Sequence, residues 1–138
     1  MEGSDMKDKD RRNEIRHKIW AEAAVYTKEE FYASAVATEI SAQGIRIETA
    51  KAILPETHVV ILMHVFQEEI EIRGIVQWTL SQPRKGINIY QMGVKTNAIF
   101  FQDVKAMDAS ERSEVVHDIL YKIKINQKSP NNCLLGQC

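Results

Sequence analysis

Residues 70–80, IEIRGIVQWTL, alternate apolar and polar side chains almost without interruption, the period of a strand with one face buried. Ile70, Ile72, Gly74, Val76, Trp78 and Leu80 fall on one face, with Glu71, Arg73, Gln77 and Thr79 on the other. Each residue of such a strand carries a backbone donor and acceptor that must find partners when buried, so the chain has to supply a sheet.

Further strands are legible around it. GIRIET alternates Ile45 and Ile47 with Arg46 and Glu48, and HVVILMHVF, from His58 to Phe66, has apolar residues in both parities, as expected of a segment covered on both sides. The turn residues of SQPRKG separate residues 70–80 from INIYQMGVK, which makes an antiparallel pair the shortest connection. Asp108 followed three positions later by Glu111 has the form of a capping box, and Val115, Val116, Ile119, Leu120 and Ile123 follow at helical spacing. The order is strands first and one helix last. Closing short antiparallel strands into a small barrel, plugged or flanked by the helix, buries the apolar face and limits exposed edges.

Between Trp20 and Ile40 the local signals conflict. WAEAAVYTKEEFYASAVATEI is rich in alanine and glutamate and could propagate a helix, yet its apolar positions keep no clean helical face. The competing reading is two strands joined at Thr27–Glu30, the first ending on Val25 and Tyr26 and the second running from Phe31 to Ile40.

The chain has 138 residues, enough for one domain with its own core, and its 44% hydrophobic and 27% charged residues match a soluble globular protein. No apolar run approaches the roughly 20 residues of a spanning helix, so no membrane insertion is expected. Residues 1–18 mix Lys7, Lys9, Arg11, Arg12, Arg16 and Lys18 with Asp5, Asp8, Asp10 and Glu14, and read as a flexible basic arm. The expected organisation is this arm, then a barrel with its helix over 19–125, then a loose tail over 126–138. The first residues show no apolar leader, and the expected location is cytoplasmic.

Enzyme chemistry finds little support. Of His17, His58, His64 and His117, only His58 and His64 could share a strand face, too far apart for adjacent metal ligands. Ser41 lacks the preceding glycine of a nucleophile elbow, and the carboxylates of QEEIEI read as a solvated face. Cys133 and Cys138 lie in the last six residues, where they read as free thiols. No catalytic residue, metal ligand or cofactor is expected, and neither DNA nor RNA, since a net charge of −1 and 7% aromatic residues do not make a basic, aromatic groove. The arginines of DRRNEIR remain. Arginine is charged at any ordinary pH, offers a planar fork to phosphate oxygens and stacks on a base, which suits a ligand bearing both; spacing alone equally allows a solvated tail.

Two motifs read together narrow the choice. RNEIR places Arg12 and Arg16 in an Arg-x-x-x-Arg, and EISAQG places Ser41 and Gly44 immediately ahead of the strand IRI. With GIVQW ending in Trp78, MGVK containing Gly93 and Val94, and a terminal helix, the stretch from about residue 10 to 125 resembles the PilZ domain, the bacterial receptor module for cyclic di-GMP. The resemblance implies a mostly β fold: a six-stranded antiparallel barrel with a C-terminal helix and an N-terminal arm, in which Phe31–Ile40 is a strand. It implies that Arg12 and Arg16 clasp the ligand's phosphates and guanine faces while Ser41 and Gly44 belong to a guanine-binding motif. Gly44 would be needed because a side chain there obstructs the base or the turn. Arg11 matches a position that accompanies binding of a stacked ligand dimer. Glu39 stands where the family pattern has Asp or Asn, one methylene longer, and Lys95-Thr96 replaces an aromatic ending, a change read as packing. The implied role is a non-enzymatic receptor acting on a protein effector; the alternative is an interaction adaptor of the same fold that binds nucleotide weakly or not at all.

Overall fold

The computed structural model describes residues 15–127. Seven strands and one helix follow in the order β1 (His17–Tyr26), β2 (Phe31–Ile40), β3 (Gly44–Thr49), β4 (His58–Val65), β5 (Glu68–Arg84), β6 (Ile87–Phe101), β7 (Val104–Ala106) and α1 (Ala109–Gln127). The sheet order is β3-β2-β1-β4-β5-β6-β7, and antiparallel pairing of β3 with β6, from Gly44 opposite Lys95 to Thr49 opposite Tyr90, closes the first six strands into a barrel. The seventh strand lies outside the ring. Arg11, Arg12 and the tail beyond Gln127 fall outside the described residues.

The ambiguous segment resolves into β1 and β2, joined by a turn in which the Thr27 hydroxyl accepts hydrogen bonds from the amides of Glu29 and Glu30. Helix propensity loses here to packing: Ala21 pairs with Ala37 and Ala23 with Ala35, and all four are buried. These small residues line one wall of the barrel, while Ile61, Met63, Ile70 and Ile72 fill the interior from β4 and β5. The first strand takes in His17 and Lys18, which the sequence assigned to the arm, because Lys18 pairs with Glu39 and Ile19 packs against the core.

The fifth strand departs from its sequence pattern in one place. Ile70, Ile72, Gly74 and Val76 point inward as expected, but a bulge between Val76 and Trp78 reverses the parity. Trp78 consequently turns outward opposite Gly93, Thr79 bonds inward to the Ile53 carbonyl, and Leu80 is 55% exposed. The loop between β3 and β4 fixes the bulge, for Val76 donates to the Thr57 carbonyl and accepts from the Glu56 amide. This strand also continues through SQPR, and the reversal occurs at Lys85-Gly86, both with positive φ.

The capping box forms as read: the Asp108 carboxylate accepts from the Glu111 amide at 2.8 Å, and Glu111 accepts from the Asp108 amide at 3.1 Å. Val115, Val116 and Ile119 are buried, and Leu120 and Ile123 pack against the same core. Farther along, Lys122 contacts Glu68 at 3.2 Å; hydrogen bonds from Gln102 and Lys122 hold the Glu68 carboxyl below the usual carboxylate range.

Candidate functional site

The turn after β2 is built by its own serine. Ser41 is 4% exposed, and its hydroxyl accepts from the amides of Gln43 (3.2 Å) and Gly44 (3.1 Å) while donating to the Gly44 carbonyl (3.3 Å). The Thr96 amide donates to the Gln43 carbonyl at 2.9 Å and fastens the turn to β6. Ser41 therefore shapes the turn, and its hydroxyl is already engaged. Gly44 has an equally local reason: a Cβ there would stand 2.5 Å from the Val94 carbonyl oxygen, on the strand that closes the barrel. The obstruction expected at this glycine is thus with β6 itself.

Beside the turn, β2 and β3 pair Glu39 with Arg46. Arg46 Nη1 lies 3.2 Å from one carboxylate oxygen of Glu39, and Arg16 Nη1, just ahead of β1, lies 3.8 Å from the other. The Arg46 guanidinium is 5.8 Å from the centroid of the Trp78 ring, within cation–π range, and its Nε is buried without a partner among the described residues. Trp78 can lie on the strand surface because the residue beneath is glycine; a Cβ on Gly93 would come within 2.2 Å of the indole Nε1.

These elements enclose a surface cleft of about 340 Å³, lined by Arg16, Glu39, Ser41, Gly44, Arg46, Trp78, Gly93 and Lys95 among others. Among the described residues, its lining holds three cations and one carboxylate. The excess positive charge, an aromatic wall and an unpaired buried donor fit an anionic ligand with flat rings. Among the described residues no group of His, Cys, Asp and Glu could hold a metal ion, and no helix is long and apolar enough to cross a membrane.

Of the six residues expected at the site, Arg16, Glu39, Ser41 and Gly44 meet at this cleft, and Arg11 and Arg12 lie outside the described residues. Arg46 was legible only as an outward residue of β3. Once a turn is placed over 41–44, it stands across from Glu39, so the hairpin register was the signal that could have found it. Lys95, read as a packing change, lines the cleft, whereas its neighbour Thr96 is 2% exposed and does pack inside.

The family model for the PilZ domain matches residues 10–107. The chain belongs to the PilZ domain family. The fold is also similar to that of a solved structure, the Bacillus subtilis inhibitor of motility MotI/DgrA, which matches with a TM-score of 0.55 at 14% identity. The match covers 83% of this chain and 52% of that one, so this chain spans about half the length of that protein and shares its fold. No curated protein sequence matches.

The glycine beneath Trp78 gives a direct check of the cleft wall. In a Trp20→Phe background, where Trp78 is the one tryptophan left of the two in the sequence, Gly93→Ala is expected to lift the indole off β6. The readout is acrylamide quenching, which should become more efficient; unchanged quenching would mean the ring does not rest on Gly93.

Proposed function

We propose that this PilZ domain is a non-enzymatic receptor for cyclic di-GMP. The observation that carries the reading is the cleft, whose lining among the described residues holds Arg16, Arg46 and Lys95 but one carboxylate, Glu39, beside Trp78 and the Ser41–Gly44 turn. Cyclic di-GMP carries two phosphodiester charges and two flat purines, the complement of three cations and an indole face. The ligand also draws Arg11 and Arg12 onto the cleft, and the altered surface is what a protein effector reads. Calorimetric titration with cyclic di-GMP should give saturable heat at tens of micromolar ligand or below; no heat from demonstrably folded protein overturns the proposal.

A second reading, an adaptor with weak or no nucleotide binding, is favoured by the Glu39 carboxylate. It already engages Arg46 at 3.2 Å and faces Arg16 at 3.8 Å, so a phosphate would compete with an internal anion. Glu39→Asp separates the readings, since the shorter side chain withdraws from Arg16 and restores the family's usual carboxylate. The receptor reading expects an affinity change of less than about tenfold, equivalent to about 1.4 kcal/mol; a larger gain identifies the natural protein as a weakened receptor.

A further inference from the structure

The first turn of α1 contains a residue placed against local preference. Arg112 is a cation near a helix N-terminus, where the partial positive charge of the helix favours Asp and Glu and disfavours Arg. What offsets this is a set of carbonyls from three other parts of the chain. Its Nε donates to the Ala42 carbonyl at 2.8 Å, and its Nη1 donates to the carbonyls of Asn97, at 3.4 Å, and of Met107. Ala42 belongs to the Ser41–Gly44 turn at the cleft, Asn97 to the strand that holds that turn, and Met107 to the link between β7 and the helix. One planar side chain thus joins the rim of the cleft to the start of the helix.

We propose that Arg112 is a positioning residue that locks the 41–44 turn to the first turn of α1, making occupancy of the cleft and docking of the helix one coupled equilibrium. This deepens the receptor reading and rests on it: a ligand that favours one arrangement of the turn favours, through Ala42, one arrangement of the helix, and linkage makes the effect reciprocal. Ala42 is itself 6% exposed, so its carbonyl has little access to water that could replace the guanidinium. Without Arg112 the turn spends less time in its binding arrangement, and apparent affinity falls by that fraction.

The test is hydrogen exchange and calorimetry on the full chain with cyclic di-GMP as the probe. In the wild type, ligand should slow amide exchange over residues 109–116 as well as over 41–46. Arg112→Ala should bind about tenfold more weakly, with protection confined to 41–46 and no response in the helix. Arg112→Lys, which keeps the charge but loses the fork, should retain part of the response. A contact that merely stabilised the fold would lower the melting temperature of both states and leave the ligand-induced change in the helix intact. Wild-type affinity together with unchanged helix protection in Arg112→Ala overturns the proposal. Should Arg112→Ala fail to fold, Arg112→Lys carries the same comparison, and a full wild-type response there overturns it. If the wild type binds no cyclic di-GMP, the receptor reading fails on its own, and the lock is read without ligand: Arg112→Ala must speed exchange of the Gln43 and Gly44 amides, and equal rates would refute the lock.

Discussion

Replacing Gly44 with alanine is expected to destabilise the barrel by about 2–3 kcal/mol, as overpacking of a well-filled structure does. The added Cβ would sit 2.5 Å from the carbonyl oxygen of Val94, and the obstacle is backbone, which has no rotamer to change. Gly44 opens β3 at the seam where β3 and β6 close the ring, so relief requires the two strands to part where the sheet has no other closure. Gly86 provides the contrast. A Cβ there meets nothing within 4 Å, and alanine is disfavoured only through its φ of +80°, a cost of about 1 kcal/mol. Urea unfolding of both variants measures the difference, and a Gly44→Ala midpoint equal to wild type would show that the seam does not need glycine.

What could be read from the sequence follows the range of the interactions involved. The alternation in β3 and β5 and the capping box of Asp108 and Glu111 are local, and they were legible. The pair β1 and β2 was ambiguous because its decisive contacts, alanine against alanine across two strands, exist only once the strands meet. The bulge after Val76 has no sequence signature, since the loop that imposes it, through Glu56 and Thr57, lies about twenty residues earlier in the chain. Two of the hairpin reversals, at Phe66-Gln67 and Gln102-Asp103, use positive φ without a glycine, so the usual turn signal is missing there. At the cleft, the motif residues Glu39, Ser41 and Gly44 were visible, but Ser41 proved to spend its hydroxyl on the turn. Arg112 was beyond reach, because its acceptor Ala42 lies 70 residues earlier.

The charge balance of the cleft shifts attention from the length of Glu39 to its company. Its side chain is 16% exposed, and its carboxylate is shared between the side chains of Arg46, 30% exposed, and Arg16, 63% exposed. Arg46 is held by its strand, its cross-strand partner and the Trp78 ring. Arg16 is the more exposed member, and exchanging this carboxylate for a phosphate would cost it little, as exposed ion pairs contribute only about 0–1 kcal/mol. Glu39 in this arrangement parks the arginine near the cleft.

Arg16→Ala is therefore expected to lower affinity for cyclic di-GMP by more than about a hundredfold while leaving the melting temperature close to wild type. Loss of charge-assisted hydrogen bonds to phosphate accounts for roughly 1.5–3 kcal/mol, and tenfold corresponds to about 1.4 kcal/mol. A second loss adds to it. Without Arg16 the Glu39 carboxylate keeps Arg46 as its neighbour but loses part of its neutralisation, and it then repels the incoming phosphate. Glu39→Gln should therefore tighten binding more in the Arg16→Ala background than in the wild type, a non-additivity expected only if the two side chains act on the same ligand. Arg16→Lys should fall between, because an ammonium keeps the charge but cannot present a fork. Calorimetry of the wild type, Arg16→Ala, Arg16→Lys, Glu39→Gln and the double variant at two salt concentrations reads all of this, with the wild type showing a steeper loss of affinity than Arg16→Ala as salt rises. If Arg16→Ala binds as the wild type does, Arg16 is a solvated residue beside the cleft and the clasp attributed to it does not exist.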